Sequence, residues 1–291
     1  MNSANFERKR MEAVLHRHGF RFQKKYGQNF LTDPAVLADI VEASGMTKDD
    51  FVLEIGPGMG TLTAQLAEAA GGVLAVEIDT KLIPILEEQL ADRMNVELMQ
   101  GDVMKLPLAE ILEERAKGRP VRVVANLPYY ITTPILMKLL EENIPYTSIT
   151  VMVQKEVAER MTAGPGSKIY GALSLAVQYY TEPQIHFLLE PRAFFPPPKV
   201  ESAVITLTRH GTPPVSVRDE KLLFALIRAS FNQRRKTLAN ALANGAGLSL
   251  SKEEIAQKIV EQGHPATVRG EALSLEEFAR LADGLVNENC R

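Results

Sequence analysis

Short apolar runs alternate with amphipathic stretches through the first half of the chain, and this alternation is its strongest structural signal. Phe51–Ile55, Val73–Glu77, Val96–Gln100 and Val121–Ala125 each read as a strand, and the segment from Thr61 to about Ala70 reads as the helix after the first of them. Strands and helical stretches keep alternating up to Gln154, and further strand-like runs follow at Ile185–Leu189 and Ala203–Leu207. Alternation of this kind predicts an α/β domain, a largely parallel sheet with helices on both faces. Around Thr208–Pro214 the pattern gives way to polar, proline-containing sequence, and beyond it only helical periodicity remains, from about Asp219 to Ala243, Lys252 to Gln262 and Leu275 to Leu285. The expected organisation is therefore an α/β domain over residues 1–208, a linker over 209–218 and a small all-helical domain over 219–291. With 291 residues, 45% of them hydrophobic and 24% charged, the chain is long enough for two domains with a substantial core.

Chemistry-bearing residues recur at the ends of successive strands, where an open α/β sheet places its ligands. The first strand leads from Glu54 into Gly56-Pro57-Gly58-Met59-Gly60, whose glycines let backbone approach a ligand closely. The next strand ends in Glu77, 21 positions after Gly56, where a carboxylate can accept both ribose hydroxyls of an adenosine cofactor. A nicotinamide dinucleotide is the competing ligand, but its fingerprint wants the third glycine three residues after the second, whereas Gly60 follows Gly58 by two. That third glycine serves helix packing around a pyrophosphate. S-adenosylmethionine has no phosphate and suits the observed spacing better. The third strand runs into Gly101-Asp102, a carboxylate positioned for an adenine amino group, although a plain Gly-Asp turn reads the same way in isolation.

The fourth strand opens into Asn126-Leu127-Pro128-Tyr129-Tyr130. The exocyclic amine of adenine is a poor nucleophile because its lone pair is delocalised into the ring. If the Asn126 side-chain oxygen and the Leu127 carbonyl both accept hydrogen bonds from that amine, the nitrogen moves toward tetrahedral geometry and its lone pair localises. Pro128 holds the carbonyl in aim, and Tyr129 or Tyr130 offers a stacking face for an unstacked base. Taken alone, Asn-Leu-Pro is equally a turn after a strand, with the tyrosines as packing.

Four segments together resemble the ribosomal RNA adenine dimethyltransferase family: Gly27-Gln28-Asn29-Phe30-Leu31-Thr32-Asp33, Glu54 to Gly60, Asn126 to Tyr130, and Phe194-Phe195-Pro196-Pro197-Pro198-Lys199-Val200-Glu201-Ser202. The stretches 154–173 and 230–238 are similar to the bacterial branch acting on small-subunit (16S) RNA rather than to the macrolide-resistance branch acting on large-subunit (23S) RNA. The resemblance implies a Rossmann-like, S-adenosylmethionine-dependent methyltransferase domain with S-adenosylhomocysteine as product. It implies that Gln28, Asn29 and Leu31 close over the cofactor, that Gly56 and Gly58 line its methionine end, and that Glu77 and Asp102 hold ribose and adenine. Asn126 then touches the cofactor and, with Leu127, Pro128 and Tyr129, holds the target amine. Phe194 stacks on the base from the other side. The implied substrate is a pair of adjacent adenosines near the 3′ end of the RNA in an immature small ribosomal subunit. A large-subunit dimethylase and a ribosome-assembly factor that only binds RNA are the alternative readings.

A net charge of −3 looks unsuited to an RNA partner until it is mapped along the chain. Residues 1–30 carry +5, including Lys24 and Lys25, and residues 228–236 carry +4, including Arg234, Arg235 and Lys236, so the remainder sums to −12. Two basic segments on an acidic body fit docking on phosphates. Cys290 is the single cysteine, which leaves no internal disulfide or thiolate cluster, and His16 and His18 read as surface residues, so no metal is expected. The basic N-terminal stretch has no apolar signal core, and no apolar run is long enough to span a bilayer. A cytoplasmic protein is the expectation, and without a heptad seam or a self-pairing strand, a monomer.

Overall fold

The computed structural model describes residues 3–23 and 27–289, with side chains described from Phe6 to Val286 outside the 24–26 gap. In chain order the elements are α1 (Ser3–Arg17), β1 (Phe30–Leu31), α2 (Pro34–Ser44), β2 (Phe51–Ile55), α3 (Thr61–Ala69), β3 (Gly72–Glu77), α4 (Ile83–Gln89), β4 (Val96–Gln100), α5 (Leu108–Ala116), β5 (Val121–Asn126) and α6 (Thr132–Glu141). There follow β6 (Tyr146–Gln154), α7 (Lys155–Thr162), α8 (Ala172–Tyr180), β7 (Thr181–Leu189), β8 (Phe194–Phe195), β9 (Ser202–Arg209), α9 (Glu220–Asn232), α10 (Leu238–Gly245), α11 (Lys252–Glu261) and α12 (Leu275–Asn289).

The chain packs as two compact units. One comprises the residues up to Ala158 together with Glu182–Arg209, and the other Glu159–Thr181 together with the residues from His210 onward. The first holds a seven-stranded sheet in the order β4-β3-β2-β5-β6-β9-β7. β4, β3, β2, β5 and β6 are mutually parallel, and β9 joins β6 antiparallel with Met152 opposite Val204. The sheet is thus parallel where the sequence predicts strands in alternation with helices, with an antiparallel extension beyond β6. β2 and β3 are buried along their whole length, as strands covered on both faces must be. The order reverses direction between β2 and β5, and a crevice opens there at the C-terminal ends of the strands.

Local chemistry explains the helix ends that shape this crevice. α2 starts where Asp33 caps Ala35 N and Pro34 occupies the first turn, and it stops at Gly45 in a left-handed conformation. α1 is an element that the charge pattern did not disclose. Its buried side chains Met11, Val14 and Leu15 join Phe30, Met59, Leu82, Ile85 and Leu86 in one apolar cluster.

The second unit is helical, and it takes in α8 from the middle of the chain. The Tyr170 hydroxyl donates to Leu273 O at 3.0 Å, its ring meets Phe231 edge-on, and Tyr180 stacks on Phe224. The single helix expected from Asp219 to Ala243 is two helices. Residues 233–237 form a turn between α9 and α10, because Leu238 N donates to Val268 O at 2.7 Å and Arg234 reaches Lys168 O, contacts that a continuous helix would not place.

Candidate functional site

The cleft at the strand ends gathers residues from β1, the β2–α3 loop, the ends of β3 and β4, and the segment after β5, enclosing about 1060 Å3 with its open mouth included. Gly58 is required by both backbone and space: its φ is +60°, and a Cβ there would lie 2.9 Å from the Phe30 ring. Its N–H donates to Glu77 Oε2 at 3.2 Å. A Cβ on Gly56 would meet nothing within 4 Å, so the cleft is open directly over that residue.

Glu77 ends β3, only 4% exposed, and also accepts from Asp79 N at 2.8 Å through Oε1. Burial pushes its pKa up, partly offset by those backbone donors. Glu54 on β2 is buried more deeply and has no partner for Oε2. Desolvation, reinforced by the nearby Glu77 charge, raises it from 4.5 to about 8, so it is neutral at pH 7, and the adjacent Thr63 hydroxyl offsets this only in part, without reaching hydrogen-bond geometry. Asp102 lines the cleft below β4 while accepting from Met104 N at 3.0 Å. The described residues lining the cleft thus include three carboxyl side chains, of which Glu54 is held neutral, and no Lys, Arg or His, so the charge the lining carries is negative and disfavours a pyrophosphate.

Across the cleft the Asn126 side chain donates from Nδ2 to Asn29 O at 3.0 Å, which turns Oδ1 away from that carbonyl and available as an acceptor. Asn29 Nδ2 in turn donates to Gly27 O at 3.0 Å. The Pro128 carbonyl is occupied by Ile131 N and Thr132 Oγ1, both at the start of α6, so the turn is fastened immediately after Leu127. Tyr129 and Tyr130 take different positions. The Tyr129 hydroxyl lies 2.5 Å from Ser202 Oγ on β9, and burial raises its pKa, so the phenol stays neutral and the ring is tethered beside Asn126. Tyr130 is 56% exposed, with its ring next to Gly27.

The structure therefore brings Gln28, Asn29, Leu31, Gly56, Gly58, Glu77, Asp102, Asn126, Leu127, Pro128 and Tyr129 to one cleft. It does not bring Phe194 there. That ring is 2% exposed, paired with Leu31 across the two-stranded β1–β8 ribbon and buried with Leu37 and Leu189, so it has no free face for a base. Arg234, Arg235 and Lys236 sit in the helical unit, all exposed, and Arg234 is already engaged by Glu271 at 3.2 Å. Lys24 and Lys25 lie outside the described residues.

Residues that the sequence reading passed over also act here. Asp79 carries no motif signal beyond following Glu77 by two, and Gln23 carries none, because their importance arises from a contact across 56 positions. Glu54 was visible only as the acid before the glycine loop. Among the described residues no group of three His, Cys, Asp or Glu could hold a metal, and no helix is long and apolar enough to cross a membrane.

Comparison with known proteins gives this arrangement its context. Ribosomal RNA small subunit methyltransferase A of Lachnoclostridium phytofermentans is 59% identical over 271 residues, 93% of each chain. A dimethyladenosine transferase from Plasmodium falciparum superposes with a TM-score of 0.73 at 25% identity, covering 87% of this chain and 95% of that one. The 23S rRNA methyltransferase ErmE superposes at 0.66 with 26% identity, covering 89% and 100%. Residues 19–283 match the family described as ribosomal RNA adenine dimethylase, and with that match and the 59% identity the chain belongs to this family.

Proposed function

We propose that this chain uses S-adenosylmethionine to dimethylate the exocyclic amine of two adjacent adenosines near the 3′ end of small-subunit rRNA, acting as a monomer on the immature subunit in the cytoplasm. One observation carries the chemical part of this reading. Asn126, fixed through Nδ2 by Asn29 O so that its amide oxygen is left to accept, lines the same cleft as Glu77 and Asp102. The relatives named as small-subunit methyltransferases support the RNA assignment.

The residues fit the cofactor. Glu77 has the burial and strand-end position to accept ribose hydroxyls, Asp102 the position to accept an adenine amine, and the open space over Gly56 beside the unpartnered Oε2 of Glu54 the room to receive the methionine end. Gln28, Asn29 and Leu31 form the covering side, and Gly58 allows that side to close because the Phe30 ring occupies the place of a Cβ. Bound S-adenosylmethionine supplies an electrophilic methyl on a sulfonium, so this chain needs no metal and no nucleophilic side chain of its own. Its residues supply orientation: Asn126 Oδ1 and the Leu127 carbonyl accept the two amine hydrogens, localising the nitrogen lone pair, and the Tyr129 ring, held by Ser202, supports the base plane. The low-dielectric wall of Leu31, Phe30 and Leu127 strengthens those hydrogen bonds.

Transfer of labelled methyl to undermethylated small subunits, with large subunits as control and digestion to nucleosides, tests the proposal. Dimethyladenosine on the small subunit alone is the expected result. Label on large subunits would instead support the activity that the name of the ErmE neighbour carries, and cofactor binding without label on either would support a binding role.

A further inference from the structure

Asp79 is buried, 2% exposed, two residues beyond Glu77, and its carboxylate is the meeting point of a segment from far away in the chain. Gln23 Nε2 donates to both of its oxygens, at 2.9 and 2.8 Å, and Gln28 Nε2 donates to Oδ2 at 2.8 Å. Lys81 N adds a bond to Oδ1 at 3.1 Å. Gln28 Oε1 accepts from Gln23 N at 3.0 Å, so the Gln28 side chain bonds both Gln23 and Asp79. On the other side the Asp79 N–H donates to Glu77 Oε1. One residue therefore joins the carboxylate at the end of β3 to Gln23 and to Gln28, the latter within Gly27–Leu31, the covering side of the cleft.

We propose that Asp79 is a positioning residue for the cofactor: its carboxylate gathers Gln23 and Gln28 to hold residues 27–31 over the cleft, while its backbone N–H fixes the rotamer of Glu77. The inference rests on the cofactor reading above. A carboxylate is required because two primary amides donate to the same group; an asparagine would turn its own N–H2 toward one of those donors and leave a buried donor unpaired. Asp79 touches no reacting atom. Its loss should change how well the site is preformed, not how the methyl is transferred once the site is full.

The experiment titrates S-adenosylhomocysteine into the full-length protein by calorimetry, comparing wild type with Asp79→Asn, Gln23→Ala and the double variant. Asp79→Asn is expected to weaken binding by ~10-fold or more, and Gln23→Ala by roughly 3- to 10-fold. The double variant should be no weaker than Asp79→Asn to within about 2-fold, since both changes remove the same contact. In turnover assays KM for the methyl donor should rise while kcat at saturation stays within about 2-fold. Hydrogen exchange of the peptides covering 20–31 should quicken in the unliganded variants. Gln23 does not line the cleft and is only half-buried, so Gln23→Ala decides the question if Asp79→Asn fails to fold. Wild-type binding with unaltered variants overturns the inference alone. A wild-type protein that does not bind the ligand overturns the cofactor reading and the inference with it.

Discussion

Glu54→Gln tests the electrostatics of the cleft through stability, independently of any ligand. The carboxyl is 1% exposed, with Oε2 unpartnered, and its pKa is raised from 4.5 to about 8. For an acid raised in this way, the folded state keeps its proton where the unfolded state has released it, so stability falls as pH rises through the window from about 4.5 to 8. At about 1.4 kcal/mol per pH unit, the gap of roughly 3.5 units disfavours folding by ~5 kcal/mol once both states are ionised, by ~3 kcal/mol at pH 7 and by only ~1 kcal/mol at pH 5. Glutamine has nearly the same shape and cannot ionise, so the variant should lack this slope: relative to wild type it should gain about 3 kcal/mol between pH 5 and pH 8. Because the chain forms two units, a single global melt would blur the comparison. Urea titrations read by hydrogen exchange of the β2 and β3 peptides report the unit that contains Glu54. Glu77, shifted in the same direction, remains in both proteins and its contribution largely cancels. Parallel pH profiles for wild type and Glu54→Gln would refute the buried, partnerless assignment.

Three further outcomes follow from the geometry. Asn126→Ala removes the side-chain acceptor and the bond to Asn29 O, and should lower kcat about 10²- to 10³-fold while S-adenosylhomocysteine affinity falls far less; an active Asn126→Ala enzyme would contradict the orienting role. Gly58→Ala places a Cβ against the Phe30 ring at a φ of +60°, and should destabilise its unit by about 2 kcal/mol and weaken cofactor binding, as urea titrations read by hydrogen exchange of the β2 and β3 peptides, with and without ligand, would show. Arg235→Ala and Lys236→Ala, both at exposed positions in the α9–α10 turn, should each reduce the salt dependence of small-subunit RNA binding by about one unit of slope, and an unchanged slope would remove them from the interface.

Most strands of the large sheet, their alternation with helices, and the placement of Gly56, Glu77, Asp102 and Asn126 at successive strand ends are legible in the sequence, because each is a local property: runs of apolar residues, a glycine spacing, an acid where a strand stops; the two-stranded β1–β8 ribbon is not. It also carried the family, since whole motifs such as 126–130 survive as contiguous text. Tertiary structure alone decided which of those motif residues face the cleft. Phe194 sits in a motif yet points into an apolar cluster, because β8 pairs with β1 and turns that ring inward beside Leu31. The helix expected across 219–243 breaks at 233–237, because bonds to Val268 O and Lys168 O outweigh local helical preference. The clamp of Gln23 and Gln28 on Asp79 has no sequence signature at all. Its members are ordinary polar residues whose carboxylate–amide bonds gain their strength from burial, and burial is a property of the folded chain.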